Sequence, residues 1–354
     1  MSAPDLVPIA AALARHYDLP DAALTPVRGG QNTINLRGTT SGGRRVFVKT
    51  YPKGTDLDAE HGALALSERA GAHGVPVAPL IRDLDGHLLH TQSPVAFSVW
   101  GWVDGHVVTH PQAHHCVQAG RALGRIHAAF ADLPVADADR DVALSGWCTT
   151  DTVGLAATIE TILAAIDTRT RADAFDAVAA ATLAERRTML THLPALAARV
   201  DDALTVQVLH GDYSPVNLLF TPHGEELAAV LDFGPPRPDL VAYDLGRMAF
   251  YPHTVTGSRD WMGLAEAFIT AYLDAHPGTR RTDVRTCGTI ALLQLVRSLY
   301  GVKQHYLKPG LDQDALDDFW VLRHRAARTL LDHLPHIDRM LDRLAHDHLP
   351  QESP

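Results

Sequence analysis

Cysteine is scarce: the chain has three, at positions 116, 148 and 287, in 354 residues. An odd number of widely spaced thiols builds no disulfide framework, and no CxxC pair offers a zinc site, so a reducing compartment, the cytoplasm, is expected. Long apolar runs are also missing. None approaches the ~20 residues that cross a bilayer as a helix, and no membrane partner is expected. The first residues lack a basic stretch followed by an apolar one, so no secretory leader is expected. Positive charge is in deficit, 31 Lys and Arg against 41 Asp and Glu, for a formal net charge of −10. That balance argues against nucleic acid as a partner, which wants a basic surface. It is compatible with a cationic small substrate, because acidic clefts concentrate cations, although modest negative charge also serves solubility. Internal repeats, low-complexity tracts and charge blocks are absent.

What is present is globular: 46% hydrophobic and 20% charged residues, enough chain for two lobes. The most informative stretch runs from Val208 to Gly234, VLHGDYSPVNLLFTPHGEELAAVLDFG. Apolar runs at Val216–Phe220 and Leu227–Phe233 flank the polar turn Thr221–Glu226, where Pro222 and Gly224 are turn residues; the pattern predicts a β-hairpin. His210, Asp212 and Asn217 precede its first strand and Asp232 closes its second, so folding gathers Asp212, Asn217 and Asp232 at one end. Two carboxylates and a carboxamide suit Mg²⁺, a hard cation that takes oxygen ligands alongside phosphate. They also suit phosphoryl transfer, in which positioning and charge neutralisation carry most of the catalysis. An Asp five residues before an Asn, followed by Asp-Phe-Gly, repeats the order of a protein-kinase active site, with Gly211 where those enzymes have Arg. The plainer reading is a hairpin whose Asp and Asn residues stabilise turns.

Upstream, Pro8–Tyr17 has helical spacing. Gly29 and Gly30, followed by Gln31 and Asn32, lie between apolar positions and suit a strand–turn–strand whose N–H groups approach phosphates, a weak signal by itself. Arg44–Lys49 reads as a strand and Asp56–Ala70 as a helix carrying Glu60. His87–His90 and Val95–Val99 are expected strands. Cys116–Phe130 is a strongly amphipathic helix, with His127 on its apolar face. His110, His114, His115 and Cys116 have spacing that could ligate a metal; exposed histidines at a helix entrance are the simpler reading. Helices are expected over Trp261–Ala275, Cys287–Tyr306 and Asp312–His346, their apolar stripes forming core.

HGDYSPVN followed by LDFG resembles the aminoglycoside phosphotransferase / choline kinase-like family of small-molecule kinases. The resemblance runs by ordered motifs over roughly residues 25–250. It implies an α+β, protein-kinase-like bilobal fold: a small antiparallel-sheet nucleotide lobe with one helix, at 1–102 after an N-terminal helix, and a larger, mainly helical catalytic lobe at 103–354. It further implies ATP or GTP as phosphoryl donor and Mg²⁺ held by Asn217 and Asp232. Gly29, Gly30, Gln31 and Asn32 would form the nucleotide loop. Lys49, paired with Glu60, would grip the α- and β-phosphates. The backbone of Gly101 and Val103, in the hinge Trp100–Gly105, would meet adenine. Asp212 would act on the acceptor hydroxyl, with His210 and Asp244 supporting its loop. The acceptor expected from the resemblance is an antibiotic or related aminated, hydroxylated metabolite; choline, homoserine or a sugar is the alternative, as is a silent nucleotide-binding module.

Overall fold

The computed structural model describes residues 6–27, 34–92, 95–171, 173–308 and 313–350. Internal packing divides the chain into two units, 1–107 with 217–236 and 108–216 with 237–354. The first unit therefore extends past residue 102, the boundary expected from the sequence, and takes in the later hairpin.

In chain order the described elements begin with α1 (Val7–His16), β1 (Ala23–Val27), β2 (Ile34–Thr39), β3 (Arg45–Tyr51) and α2 (Leu57–Ala72). Next come β4 (Leu80–Ile81), β5 (Ala96–Gly101), β6 (His106–Val107), α3 (Ala113–Phe130), α4 (Asp137–Cys148) and α5 (Thr152–Asp167). Then follow α6 (Asp176–Met189), α7 (Leu193–Ala197), β7 (Val206–Val208), β8 (Leu218–Phe220), β9 (Leu227–Val230) and β10 (Pro238–Leu240). The chain closes with α8 (Val241–Ala249), α9 (Pro252–Gly257), α10 (Trp261–Ala275), α11 (Arg281–Arg297), α12 (Val302–Leu307) and α13 (Gln313–His348).

The first unit is built on an antiparallel sheet of order β1-β2-β3-β5-β4. Val46 and Val48 alternate inward on β3 and are fully buried with Leu36, Phe97 and Val99, against Ile9 and Leu13 of α1. Period-two alternation puts Lys49 on the other face, opposite Asn35 of β2 and Ser98 of β5. Asp56 caps α2, its carboxylate accepting the Ala59 N–H at 3.1 Å. A second sheet, β6-β8-β9, completes this unit, because β6 pairs with β8 rather than with any neighbour in sequence.

The second unit is helical, with the β7–β10 pair as its only described sheet. α3 packs closely on α10: a Cβ on Gly120 would sit 2.2 Å from the Phe268 carbonyl oxygen, so only glycine lets the backbones approach this far. The three cysteines are free. No single described helix is long and apolar enough to cross a membrane.

Three expected elements differ. His87–His90 is not a strand; only His90 pairs, in a bridge to Phe97, because Asp83 accepts the backbone N–H groups of Asp85 and His87 and turns the chain. Cys287–Tyr306 is two helices, α11 and α12, parted at Gly301, whose φ of 97° is closed to most side chains. The strand expected to reach Phe233 stops at Val230, and Asp232 follows with φ 59°, left-handed for a non-glycine residue.

Candidate active site

In the first unit, Lys49 is held between two acids. Its Nζ lies 2.9 Å from Asp232 Oδ1 and 3.9 Å from Glu60 Oε2, with the Tyr51 ring 5.8 Å away. Burial works against the ammonium, but Asp232 and Tyr51 outweigh it and hold the Lys49 pKa above its ordinary value. The partner acid on α2 is thus Glu60; Glu68 instead pairs with Arg82.

The hairpin register sets the backbone of Asn217 beside the residue that precedes Asp232. Leu218 opposes Val230, and the Leu231 N–H donates to the Asn217 carbonyl at 2.9 Å. Asp232 stays about half exposed (56%), its left-handed backbone turning it out of the strand. A backbone held in a sparsely populated region at such a place is a common mark of function.

The hinge segment is anchored by Arg45, which forks onto both oxygens of Asp104 at 2.8 and 2.5 Å. The Gly101 N–H donates to Pro79 at 2.8 Å, so this backbone donor is already committed within the sheet. Gly29, Gly30, Gln31 and Asn32 lie outside the described residues.

In the second unit, the loop bearing His210 and Asp212 is tied down by a fully buried carboxylate. Asp244 Oδ2 accepts the N–H of His210 at 3.0 Å and of Gly211 at 3.3 Å, and faces His127 Nε2 at 3.4 Å. Burial alone would raise the Asp244 pKa; the hydrogen bond and charge of His127, then His210, hold it below the ordinary carboxylate value. His127 is itself fixed by the Tyr272 hydroxyl at 2.9 Å. His210 Nδ1 accepts the Asp212 N–H at 3.3 Å, and Gly211 takes φ 80° between them.

Asp212 has a partner that sequence reasoning missed. Arg247, one turn past Asp244 on α8, donates Nη2 to Asp212 Oδ1. The signal was present, since an Asp and an Arg three apart on a helix share a face. His127 was placed on an apolar stripe, where histidine usually packs without chemistry. The His110–Cys116 group does not form a ligand set: His115 is buried, and its Nδ1 accepts the Gln112 N–H at 3.0 Å, closing the helix start.

Solved structures share this α+β architecture. An aminoglycoside phosphotransferase from Alicyclobacillus acidocaldarius matches with TM-score 0.63 at 16% identity, over 96% of this chain and 98% of that one. A spectinomycin phosphotransferase in complex with ADP and spectinomycin matches with TM-score 0.59 at 12% identity, over 91% and 98% of the two chains. A microcompartment-associated aminopropanol kinase gives 0.59 at 14%, over 94% and 99%. At these identities the likeness is one of fold, the kinase-like fold of small-molecule phosphotransferases.

The profile of the phosphotransferase enzyme family matches residues 23–283, and the chain belongs to that family. Among curated proteins it is similar to homoserine kinases, at 28% identity over 61% of this chain for that of Bradyrhizobium sp. strain BTAi1 and 27% over 56% for that of Rhodospirillum rubrum. The chain spans 59% and 55% of the length of these two relatives.

Proposed function

We propose that the chain is a nucleotide-dependent small-molecule kinase that transfers the γ-phosphoryl group of ATP or GTP to a hydroxyl. The observation that carries this reading is Lys49 paired at once to Glu60 and to Asp232, the acid of the Asp-Phe-Gly motif. A solvated edge lysine would have neither partner.

Asn217 and Asp232 fit Mg²⁺: hard oxygen donors, one of them an exposed carboxylate, at one end of the hairpin. When bound, the metal neutralises charge on the phosphate oxygens and orients them for in-line displacement. Lys49 would grip the α- and β-phosphates, with Glu60 fixing its side chain. Asp212 would hold the acceptor hydroxyl and take its proton at a carboxylate oxygen as the new bond to phosphorus forms. Arg247 would keep that carboxylate oriented. His210 and Asp244 would hold the loop in shape. The backbone of Val103 is the better placed of the two hinge groups for adenine, since the Gly101 donor is already used.

The neighbours in fold act on different acceptors, by their names an antibiotic and an amino alcohol, so the fold alone does not choose between them. The homoserine kinase relatives favour a small metabolite over an antibiotic. A silent nucleotide-binding module is disfavoured because Lys49, Asp212 and Asp232 are all present.

The test is a mass-spectrometric search for phosphorylated product across an acceptor library with ATP and Mg²⁺. Asp212→Asn and Asp232→Ala should each lower transfer by about 10²-fold or more while leaving the fold intact. Near-full activity in either variant would overturn the assignment.

A further inference from the structure

The second unit holds a small cavity of about 10 Å³, room for one ligand of about the size of a water molecule. Arg247 of α8 and Arg323 of α13 line it, with Phe250, Tyr251, Gln294 and Phe319. No acidic side chain lies in its wall among the described residues. Arg323 is 6% exposed, and its Nε and Nη2 are buried without a hydrogen-bond partner in the protein. No carboxylate stands within ion-pair distance of it among the described residues; its guanidinium lies 5.5 Å from the Phe319 ring. Arg247 spends Nη2 on Asp212, and its Nε is also buried and unpartnered.

A further guanidinium adds to the positive potential. Arg186 is fully buried and sits 4.8 Å from the Trp320 ring, with Nε and Nη2 unpartnered. Its Nη1 donates to the carbonyl of Leu295, which is itself in the cavity wall. Burial first, then the neighbouring Arg247, brings the Arg323 pKa down to about 10; burial, then Arg323, brings that of Arg186 down to about 9. Arg323 and Arg247 thus repel one another, and Arg247 is the group that holds Asp212.

Buried charges in folded proteins are paired, or they bind something of opposite charge. Charge here calls for an anion, and volume decides which. Carboxylates, phosphate and sulfate are each larger than the space. A single-atom anion is not. Fluoride holds its water too tightly to shed it into a wall made largely of aromatic rings. Chloride and bromide give theirs up at lower cost, and they suit guanidinium N–H groups and the positive edges of rings.

We propose that Arg247 and Arg323 bind one halide ion, chloride or bromide, in this cavity, and that the bound ion steadies Arg247 on Asp212. The site stands on the buried guanidinium groups and the size of the cavity; its effect on phosphoryl transfer rests on the kinase reading. The ion screens Arg247 from Arg323, so that Nη2 of Arg247 stays on the carboxylate that would take the acceptor's proton.

The experiment uses the full chain at fixed ionic strength, with gluconate as the balancing anion. Without nucleotide, chloride and bromide should raise the thermal midpoint saturably, while acetate should do no more than gluconate. Arg323→Met should lose the halide response and, in gluconate, unfold no earlier than the wild type, since an unpaired buried charge has been removed; Arg323→Lys should keep part of the response. Anomalous diffraction from wild-type crystals grown in bromide should show a peak beside the Arg247 and Arg323 guanidinium groups. Equal midpoints in halide and gluconate, equal protection by acetate, a response kept in Arg323→Met, or no bromide peak at the two arginines would each overturn the site. Under turnover with ATP and Mg²⁺, chloride should raise wild-type kcat about fivefold or more over gluconate, because Asp212 must be positioned to act, with KM for ATP unchanged. It should change nothing in Arg323→Met. Halide bound through Arg323 with no transfer to any acceptor would sink the kinase reading and spare the site. Transfer with no halide response and no bromide peak would do the reverse. Transfer that ignores chloride while the peak is present would overturn the steadying of Asp212.

Discussion

Asp244 offers the sharpest test of how the His210–Asp212 loop is held. The carboxylate is fully buried and receives two backbone N–H groups, at 3.0 and 3.3 Å, besides facing His127 at 3.4 Å. Asp244→Asn keeps the shape and removes the charge. Charge-assisted hydrogen bonds contribute ~1.5–3 kcal/mol and neutral ones ~0.5–1.5, so two donors lose about 2 kcal/mol together. The new amide N–H₂ group would stand where Oδ1 now lies buried without a partner, adding about 1 kcal/mol. The sum is about 3 kcal/mol, and Asp244→Ala, which strands every donor, should cost about 5 kcal/mol. For a unit of this size that is about 2–4 °C in midpoint per kcal/mol. Native-state hydrogen exchange at the His210 and Gly211 amides should report the same loss locally. The sign with pH follows from the depressed Asp244 pKa. Its contribution is full above the ordinary carboxylate range and disappears as pH falls through the lowered value, so the Asn variant should be flatter there. Were Asp244→Asn to melt with the wild type, both amides still protected, the charge would be contributing nothing and the reasoning would fail.

Two further outcomes follow from packing and burial in the same unit. Asp283 is buried and its pKa is raised to about 6, by burial first, although its Oδ1 accepts the Thr205 N–H at 2.8 Å. Its ionisation therefore weakens the fold as pH rises from the ordinary carboxylate value through about 6, and Asp283→Asn should gain stability at pH 8 relative to pH 5; an equal effect at both, by denaturant titration, contradicts this. Gly120→Ala places a methyl 2.2 Å from the Phe268 carbonyl oxygen, so α3 and α10 must part. Overpacking costs about 1–3 kcal/mol against about 1 kcal/mol of helix propensity gained, and a variant more stable than wild type would show that the close approach is not needed.

Local signals carried the sequence reading where the structure agrees with it. Trp261–Ala275 is found as expected because Pro277 and Gly278 stop the helix. Lys49 and Glu60 come together because strand alternation and a capped helix start fix both side chains. What local sequence did not carry was pairing made by packing. Arg323 lies 76 positions beyond Arg247, and nothing around either announces that α13 and α8 bring them to one cavity. His87–His90 follows a turn at Asp85-Gly86 and so reads as a strand, but two hydrogen bonds to Asp83 decide otherwise. Asp232 was legible at the end of the hairpin, yet its left-handed backbone was not, since Asp tolerates that region without requiring it.

The pairing of β6 with β8 ties the start of the chain to a hairpin made about a hundred residues later. On the ribosome, the nascent first unit would therefore wait, with β6 and the contacts of residues 76 and 77 unfilled, until that hairpin emerges. An unpaired strand edge invites pairing with other chains. A fragment cut after residue 107 would carry that open edge permanently, so excising this lobe cleanly calls for grafting residues 217–236 back by a linker.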